Sequence, residues 1–356
     1  MPTTTRRQAL GLIGTGALAV SYIATGRARA ATQITVLNWQ GYGTDESWAL
    51  KKFKEETGID VVHDYFSSEP EMLTKLRTNP GAYDVVLINS ARSQQASSQG
   101  LLIPIDFSKI PNSDGLTPKL KNHPNLTYDG KIYGCAWVWG MNALGIREGM
   151  TKPDSYAALY DPAYKNKVAL FDDAVTEVGV GALLTGQDMN NPKDLGKVKD
   201  QLKKIKPNLH TIWSSEDRWN KAFVANEFDL SIYWSGAAVR SKRNFGLPVE
   251  FVVPKEGAIG WLDSLSIPKT SSNQDAAYKF INYMIDPDFY YTWATKVGSP
   301  ASANQKAMEK LPEDDLMRQV HKQKYIETMS IMSALPNDRR ETFNNAWQEI
   351  KAFYAG

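Results

Sequence analysis

Between Gln33 and Gly100 the chain alternates short apolar runs with amphipathic helical patterns, and that alternation leaves few architectures open to it. Residues 33–39 read as a strand. Residues 46–57 read as a helix, with Leu50 and Phe53 on one face and Gly58 as its stop. Residues 61–65 form a second strand, and Ser68-Glu69-Pro70-Glu71 is a capping box opening a helix through Leu73 and Leu76. A third strand, 85–88, precedes a polar helix ending at Gly100. This order predicts an α/β fold with a mainly parallel, doubly wound sheet. Ligands of such sheets bind beyond the carboxyl ends of the strands. The segments to examine are therefore 39–42, 90–92 and 234–236.

A second α/β unit follows from about Ala143. Strands are expected at 168–171, 229–234, 249–253 and 261–267, and helices at 173–184, 194–205, 275–285 and 289–296. No repeat and no low-complexity tether separates the units. The expectation is two doubly wound lobes with a ligand cleft between them.

The first thirty residues read as an export signal rather than as fold. Arg6-Arg7 precedes a mildly apolar run from Leu10 to Ala24, and Ala28-Arg29-Ala30 is a small-x-small cleavage site. Paired arginines indicate the twin-arginine route, with an ordinary secretory signal as the alternative. Both lead to the periplasm, with a mature chain beginning near Ala31. Removing this segment takes away four arginines and no acid, leaving 37 basic against 39 acidic side chains. A nearly neutral chain has no basic field to recruit nucleic acid or anionic lipid. Beyond residue 30 nothing approaches the length of a membrane span. Cys135 is the only cysteine, so an intramolecular disulfide is excluded, and it reads as a small buried residue.

Trp261 and Asp263 are the most informative pair. Two residues apart on a strand, they project to one face, setting an indole ring beside a carboxylate. That is a way to hold an organic cation; the alternative is a core tryptophan followed by a turn-capping aspartate. Enzyme signatures were sought beside this pair. The four histidines, His63, His123, His210 and His321, are scattered without metal-ligand spacing, and no nucleophile elbow or phosphate-binding loop is present. No catalytic residue, cofactor or metal site is expected.

Several collinear segments resemble the periplasmic spermidine/putrescine-binding proteins of ABC importers. They are Asn38-Trp39, Gly81-Ala82-Tyr83-Asp84-Val85-Val86, the run from Leu102 to Asn112, Asp172-Asp173-Ala174, Tyr233-Trp234-Ser235-Gly236-Ala237-Ala238, Pro254-Lys255-Glu256-Gly257 and Trp261-Leu262-Asp263-Ser264-Leu265. The resemblance implies one lobe from residues 31–140 plus 262–306 and another from 141–261 plus 307–356. Crossings would fall near 141–144, 260–261 and 304–307. It further implies a monomer that closes on a small amine-containing solute and delivers it to permease subunits, without being membrane-embedded.

Carried over by position, Trp39, Tyr42, Ser90, Trp234, Trp261 and Asp263 match the family's ligand contacts. Asp173 matches an acid that binds an amine, and its partner is shifted by one residue to Glu177; capping and an exposed helix position are the alternatives for these two. Other positions depart from the pattern. Gly41 stands where an acid would be, Arg92 replaces an aromatic, Ser299 a tyrosine and Pro336 a glutamine. Arg92, and with it Arg240, suits a carboxylate, unless both are solvated surface residues. The expected function is polyamine capture. A zwitterionic amine, such as an ω-amino acid or opine, is the alternative, and an exported amine-transforming enzyme a more distant one.

Overall fold

Helix Ser47–Thr57 buries Ala49 and Phe53 and stops at Gly58, whose N–H bonds Lys54 O at 2.8 Å. The capping box is one residue wider than expected. Ser68 Oγ accepts from Glu71 N, but the Glu71 carboxylate returns to Ser67 N at 2.9 Å. These local structures belong to a computed structural model that describes residues Thr32–Gly356. The export signal expected over residues 1–30 lies outside them.

Among the described residues thirteen strands form in chain order. The first five are β1 (Gln33–Asn38), β2 (Asp60–Tyr65), β3 (Val85–Asn89), β4 (Thr127–Tyr128) and β5 (Lys131–Ile132). A long strand, β6 (Cys135–Arg147), is followed by β7 (Val168–Phe171), β8 (Leu209–Trp213), β9 (Leu230–Trp234) and β10 (Val249–Val252). The last are β11 (Ile259–Ser266), β12 (Ala301–Ser302) and β13 (Ser330–Ile331). Apart from the β4–β5 pair, they form one continuous sheet with the path β2-β1-β3-β11-β6-β9-β7-β8. Pairing is parallel at both ends, β1 with β2 and β3, β7 with β8 and β9. In the middle it is antiparallel, because β6 and β11 run between the two parallel sets. The mainly parallel sheet expected from the sequence is therefore mixed.

Strand β6 is the spine of the molecule. Its first half pairs with β11 through Ala136↔Ser264 and Val138↔Asp263, and its second half with β9 through Asn142↔Trp234 and Leu144↔Ile232. Twelve of its thirteen residues are buried, so it shows none of the alternation that marks a one-faced strand. Two main cores lie along it. The first joins Val36, Phe53, Leu87 and Trp137, and takes in Ala307, Leu311, Met317 and Ile326 from the later chain. The second joins Leu144, Leu170, Val178 and Ile232, and is closed by Phe343, Trp347 and Ile350 of helix Asn337–Ala355.

Where β6 passes from one core to the other, its backbone is pinned. Met141 N donates to Ser235 Oγ at 3.0 Å, and that hydroxyl lies 2.7 Å from His321 Nε2. The Met317 carbonyl can only accept, so His321 Nδ1 donates to it at 3.0 Å, and in a neutral ring Nε2 then accepts from the Ser235 hydroxyl. Burial holds the His321 pKa down at about 4, in keeping with a neutral ring. A second tie is Arg243, on helix Ser235–Phe245. It grips both Asp315 oxygens at 2.8 Å and the Ala294 carbonyl at 2.7 Å.

Gly140 lies one residue before the pinned backbone, and the Trp261 indole rests on it. A Cβ at residue 140 would stand 2.3 Å from Trp261 Cζ2, too close for any atom pair. Gly140→Ala must push the indole aside. It is expected to lose about 1–3 kcal/mol of stability in urea unfolding, with a shifted tryptophan emission. Unchanged stability and emission would show that the indole moves freely.

Candidate ligand cleft

The sheet register gathers the site. Asp263 pairs with Asn89 of β3 on one side and Val138 of β6 on the other, while Trp261 pairs with Gly140 and Trp234 with Asn142. Paired residues share a face, as do residues two apart on one strand. Asn89, Asp263, Trp261, Gly140, Asn142 and Trp234 therefore line one face, at the carboxyl ends of β3 and β9. Leu262 points the other way and is fully buried.

Asp263 is 6% exposed and, among the described residues, has no cation in hydrogen-bond contact. Its two oxygens are held by neutral donors, Oδ2 by Tyr42 Oη and Oδ1 by Asn89 Nδ2, each at 2.8 Å. Asn89 also caps helix Ser90–Ser98, its Oδ1 accepting from Ala91 N at 2.9 Å, so the cap fixes the amide that orients the carboxylate. Burial raises the Asp263 pKa from 3.8 to about 6; the two donors pull it down and the Glu69 carboxylate pushes it up. Burial and the adjacent Asp263 raise the Tyr42 phenol well above its usual range.

Tyr42 is placed by a rigid loop. Asn38 Nδ2 donates to Thr44 Oγ1 at 2.7 Å, and Gly41 N donates to Asp45 Oδ2 at 2.7 Å. Gly43, with φ of +82°, lies against Trp293, where a Cβ would come within 2.3 Å of the ring. Between Asp263 and Ser264 the register against β6 slips, leaving Trp137 as the extra residue of a bulge. Trp137 stacks on Trp293 at 5.4 Å and meets Tyr42 edge-on at 5.9 Å. Trp39, at the end of β1, is half-buried and edge-on to Phe66 at 4.5 Å.

On the facing wall, Trp234 is wedged edge-on against Phe171 and Trp213, both at 5.0 Å. Asp173 caps helix Ala174–Leu184 through a 2.8 Å bond from Thr176 N and stays half-buried. Glu177 shares that helix but lies wholly inside. One oxygen accepts from Phe171 N at 2.9 Å and the other has no partner among the described residues. Burial raises its pKa well above the usual carboxylate range, so it does not form a charged pair with Asp173. The Ser90 hydroxyl is buried and donates to Met332 O at 3.0 Å.

Both arginines singled out from the sequence already have anionic partners. Arg92 is 8% exposed and donates from Nε to Glu69 Oε2 at 3.0 Å and from Nη1 to Gln95 at 3.1 Å. Arg240 is clamped on Glu216 through bonds of 3.1 and 2.6 Å. Sequence reasoning took Glu69 only as part of a helix cap and passed over Asn89 and Arg340. Burial raises the Glu69 pKa, Arg92 and Arg340 offset this, and Asp173 adds to it, so charges from both sides of the cleft reach this one carboxylate. No sequence signal marked these residues, because their role comes from contacts between distant segments. Chemically, the cleft offers an ionisable carboxylate held by uncharged donors, beside aromatic surface that can cover an aliphatic stem.

Comparisons with known proteins agree with this geometry. The family model for bacterial extracellular solute-binding proteins matches residues 48–319. The spermidine/putrescine-binding periplasmic protein of Salmonella typhimurium is 33% identical over 298 residues, covering 81% of this chain and 82% of the relative. A putrescine-binding periplasmic protein of Escherichia coli is 29% identical, covering 82% and 85%. The crystal structure of a spermidine/putrescine ABC transporter substrate-binding protein from Streptococcus pneumoniae superposes with a TM-score of 0.81. It is 26% identical, covering 91% of this chain and 99% of that one.

The raised Asp263 pKa makes this carboxyl a stability cost when ionised. Its favourable contribution is complete below the unfolded value near 3.8 and is lost as pH rises through about 6. Asp263→Asn keeps the acceptor for Asn89, while the Tyr42 hydroxyl can turn to accept from the new amide. The ligand-free variant is expected to be more stable than wild type by up to about 3 kcal/mol at pH 8, with the gap closing by pH 4. Urea titrations at the two pH values measure this; a gap independent of pH would mean that Asp263 is not buried as a charge.

Proposed function

This chain belongs to the bacterial extracellular solute-binding proteins, and we propose that it is the periplasmic substrate-binding component of an ABC importer for polyamines of the putrescine and spermidine type. The observation that carries this reading is Asp263, a buried carboxylate held only by uncharged donors beside Trp261. Such a group is costly to ionise alone and gains most from an ammonium brought to it. Trp39, Tyr42, Trp234 and Trp261 cover the aliphatic stem, and Asp173 faces the ligand from the second lobe.

In this reading the chain forms the two lobes that the resemblance implies, with the boundary after residue 306 moved along the chain because Ala307, Leu311, Met317, Ile326 and Ile331 join the first core. Closure about the crossings of β6 and β11 traps the ligand and presents a joint surface to the permease. The chain reaches the periplasm through the twin-arginine signal and works there as a monomer without catalytic turnover. Among the described residues no helix is long and apolar enough to cross a membrane. A second reading, a zwitterionic amine, is favoured by the two guanidiniums, Arg92 and Arg340, that act on Glu69.

Calorimetry on the mature chain at pH 7.5 is expected to detect putrescine or spermidine, with Asp263→Asn costing about 3–5 kcal/mol of affinity. Wild-type affinity is expected to fall below pH 6 as the carboxyl protonates. Amine recovered unaltered after incubation supports a binding protein, whereas turnover supports an enzyme. Equal affinity in wild type and Asp263→Asn would remove the cation site.

A further inference from the structure

Helix Ser235–Phe245 leaves the β6 crossing with a different core on each side. Ala237 and Ala238 pack with Trp219 and Tyr233 of the second lobe, whereas Val239 joins the first core. Gly236, Arg240 and Arg243 are spaced four and three residues apart and so share one face of the helix. That face meets segment 294–300 of the first lobe. A Cβ on Gly236 would stand 3.9 Å from Ser299 O and Pro300 Cα, and one on Gly298 would stand 3.0 Å from Arg240 Cγ. Arg243 Nη1 donates to Ala294 O at 2.7 Å, and Nη2 donates to both Asp315 oxygens at 2.8 Å. Both partners ride with the first lobe, because Ala294 follows Trp293, which stacks on Trp137, and Met317 beside Asp315 is in the first core. The seam starts at the cleft wall, since Trp234 is the N-cap of this helix.

We propose that Arg243 is a closure latch: it seats on Asp315 and the Ala294 carbonyl as the cleft shuts, and so sets how much of the protein is closed without touching the solute. This rests on the two-lobed binding protein of the reading above, but not on which amine it takes. Arg243 lies two helical turns beyond Ser235, about 12 Å along the axis from the pinned crossing. A rotation at that crossing displaces it more than Gly236 or Arg240, because displacement grows with distance from the pivot. Asp315 is held ready for it. Its Oδ1 accepts from Met317 N at 2.8 Å, so the carboxylate keeps its place when the arginine leaves. The two side chains are 24% and 14% exposed, dry enough for the pair to count and wet enough for both charges to regain water when parted. Arg240 is tied to Glu216 of its own lobe and offers the seam only its stem. Of the two arginines on this face, only Arg243 bonds across.

Calorimetry of the mature chain with putrescine and spermidine tests this on Arg243→Met and Asp315→Asn, the second of which keeps an oxygen for the Met317 cap. Each is expected to bind about tenfold more weakly than wild type, because the closed fraction that retains solute falls in that proportion. The double variant is expected to bind no more weakly than either single one, since both remove the same contact. Arg243→Lys, which keeps the charge, is expected to lose less. Circular dichroism and urea unfolding establish that each variant is folded. A brace within a fixed structure would lower stability and leave affinity unchanged; that result in both single variants overturns the latch. If wild type binds neither amine, the polyamine reading fails on its own, and small-angle X-ray scattering then judges the latch. Ligand-free Arg243→Met is expected to have a larger radius of gyration than wild type, and an equal one overturns it.

Discussion

A carboxylate taken out of water without a cation is the constraint around which this molecule is arranged. Asp263 is held by a phenol and an amide, and each donor needs its own support. The phenol depends on a loop fixed by Asn38, Asp45 and the flat contact of Gly43 with Trp293. The amide depends on Asn89 serving also as a helix cap. The bulge in β6 turns Trp137 toward Tyr42 and so closes the ring of supports. Neutral donors hold the charge in position but do not cancel it, which leaves an incoming ammonium most of the electrostatic gain.

The two halves of the molecule share one sheet, and this decides where movement can occur. Parallel strands at either end are packed into their own cores, so any relative motion of the two would have to pass through the few residues of β6 and β11 between them. There the backbone is held by Met141, Ser235 and His321, an all-neutral chain of hydrogen bonds. Neutral links near a hinge exchange partners at lower cost than buried ion pairs would.

The first parallel unit was legible because each of its strands is followed by a helix with its own start and stop signals, as at Ser68 and Gly58. Asp263 and Trp261 were legible as a pair because strand geometry alone sets them on one face. The spine strand β6 was not, since a strand buried on both sides carries no alternation. Glu177 misled for a related reason. Helical spacing sets it beside Asp173, but depth, which spacing does not encode, separates them. The bond from Arg92 to Glu69 was not legible, because it joins two helices whose approach depends on the whole sheet. Arg340 was passed over because only tertiary packing brings the start of its helix near enough to influence Glu69.

The Arg92–Glu69 pair leaves one of the acids beside the cleft already partnered. A guanidinium tethered beside a carboxylate competes for it without the association entropy that a dissolved amine must lose. A solute cation reaching for Glu69 would compete with this resident for Oε2. Asp263, by contrast, has no cation bonded to it among the described residues, so the two acids would differ in what a positively charged solute gains from each.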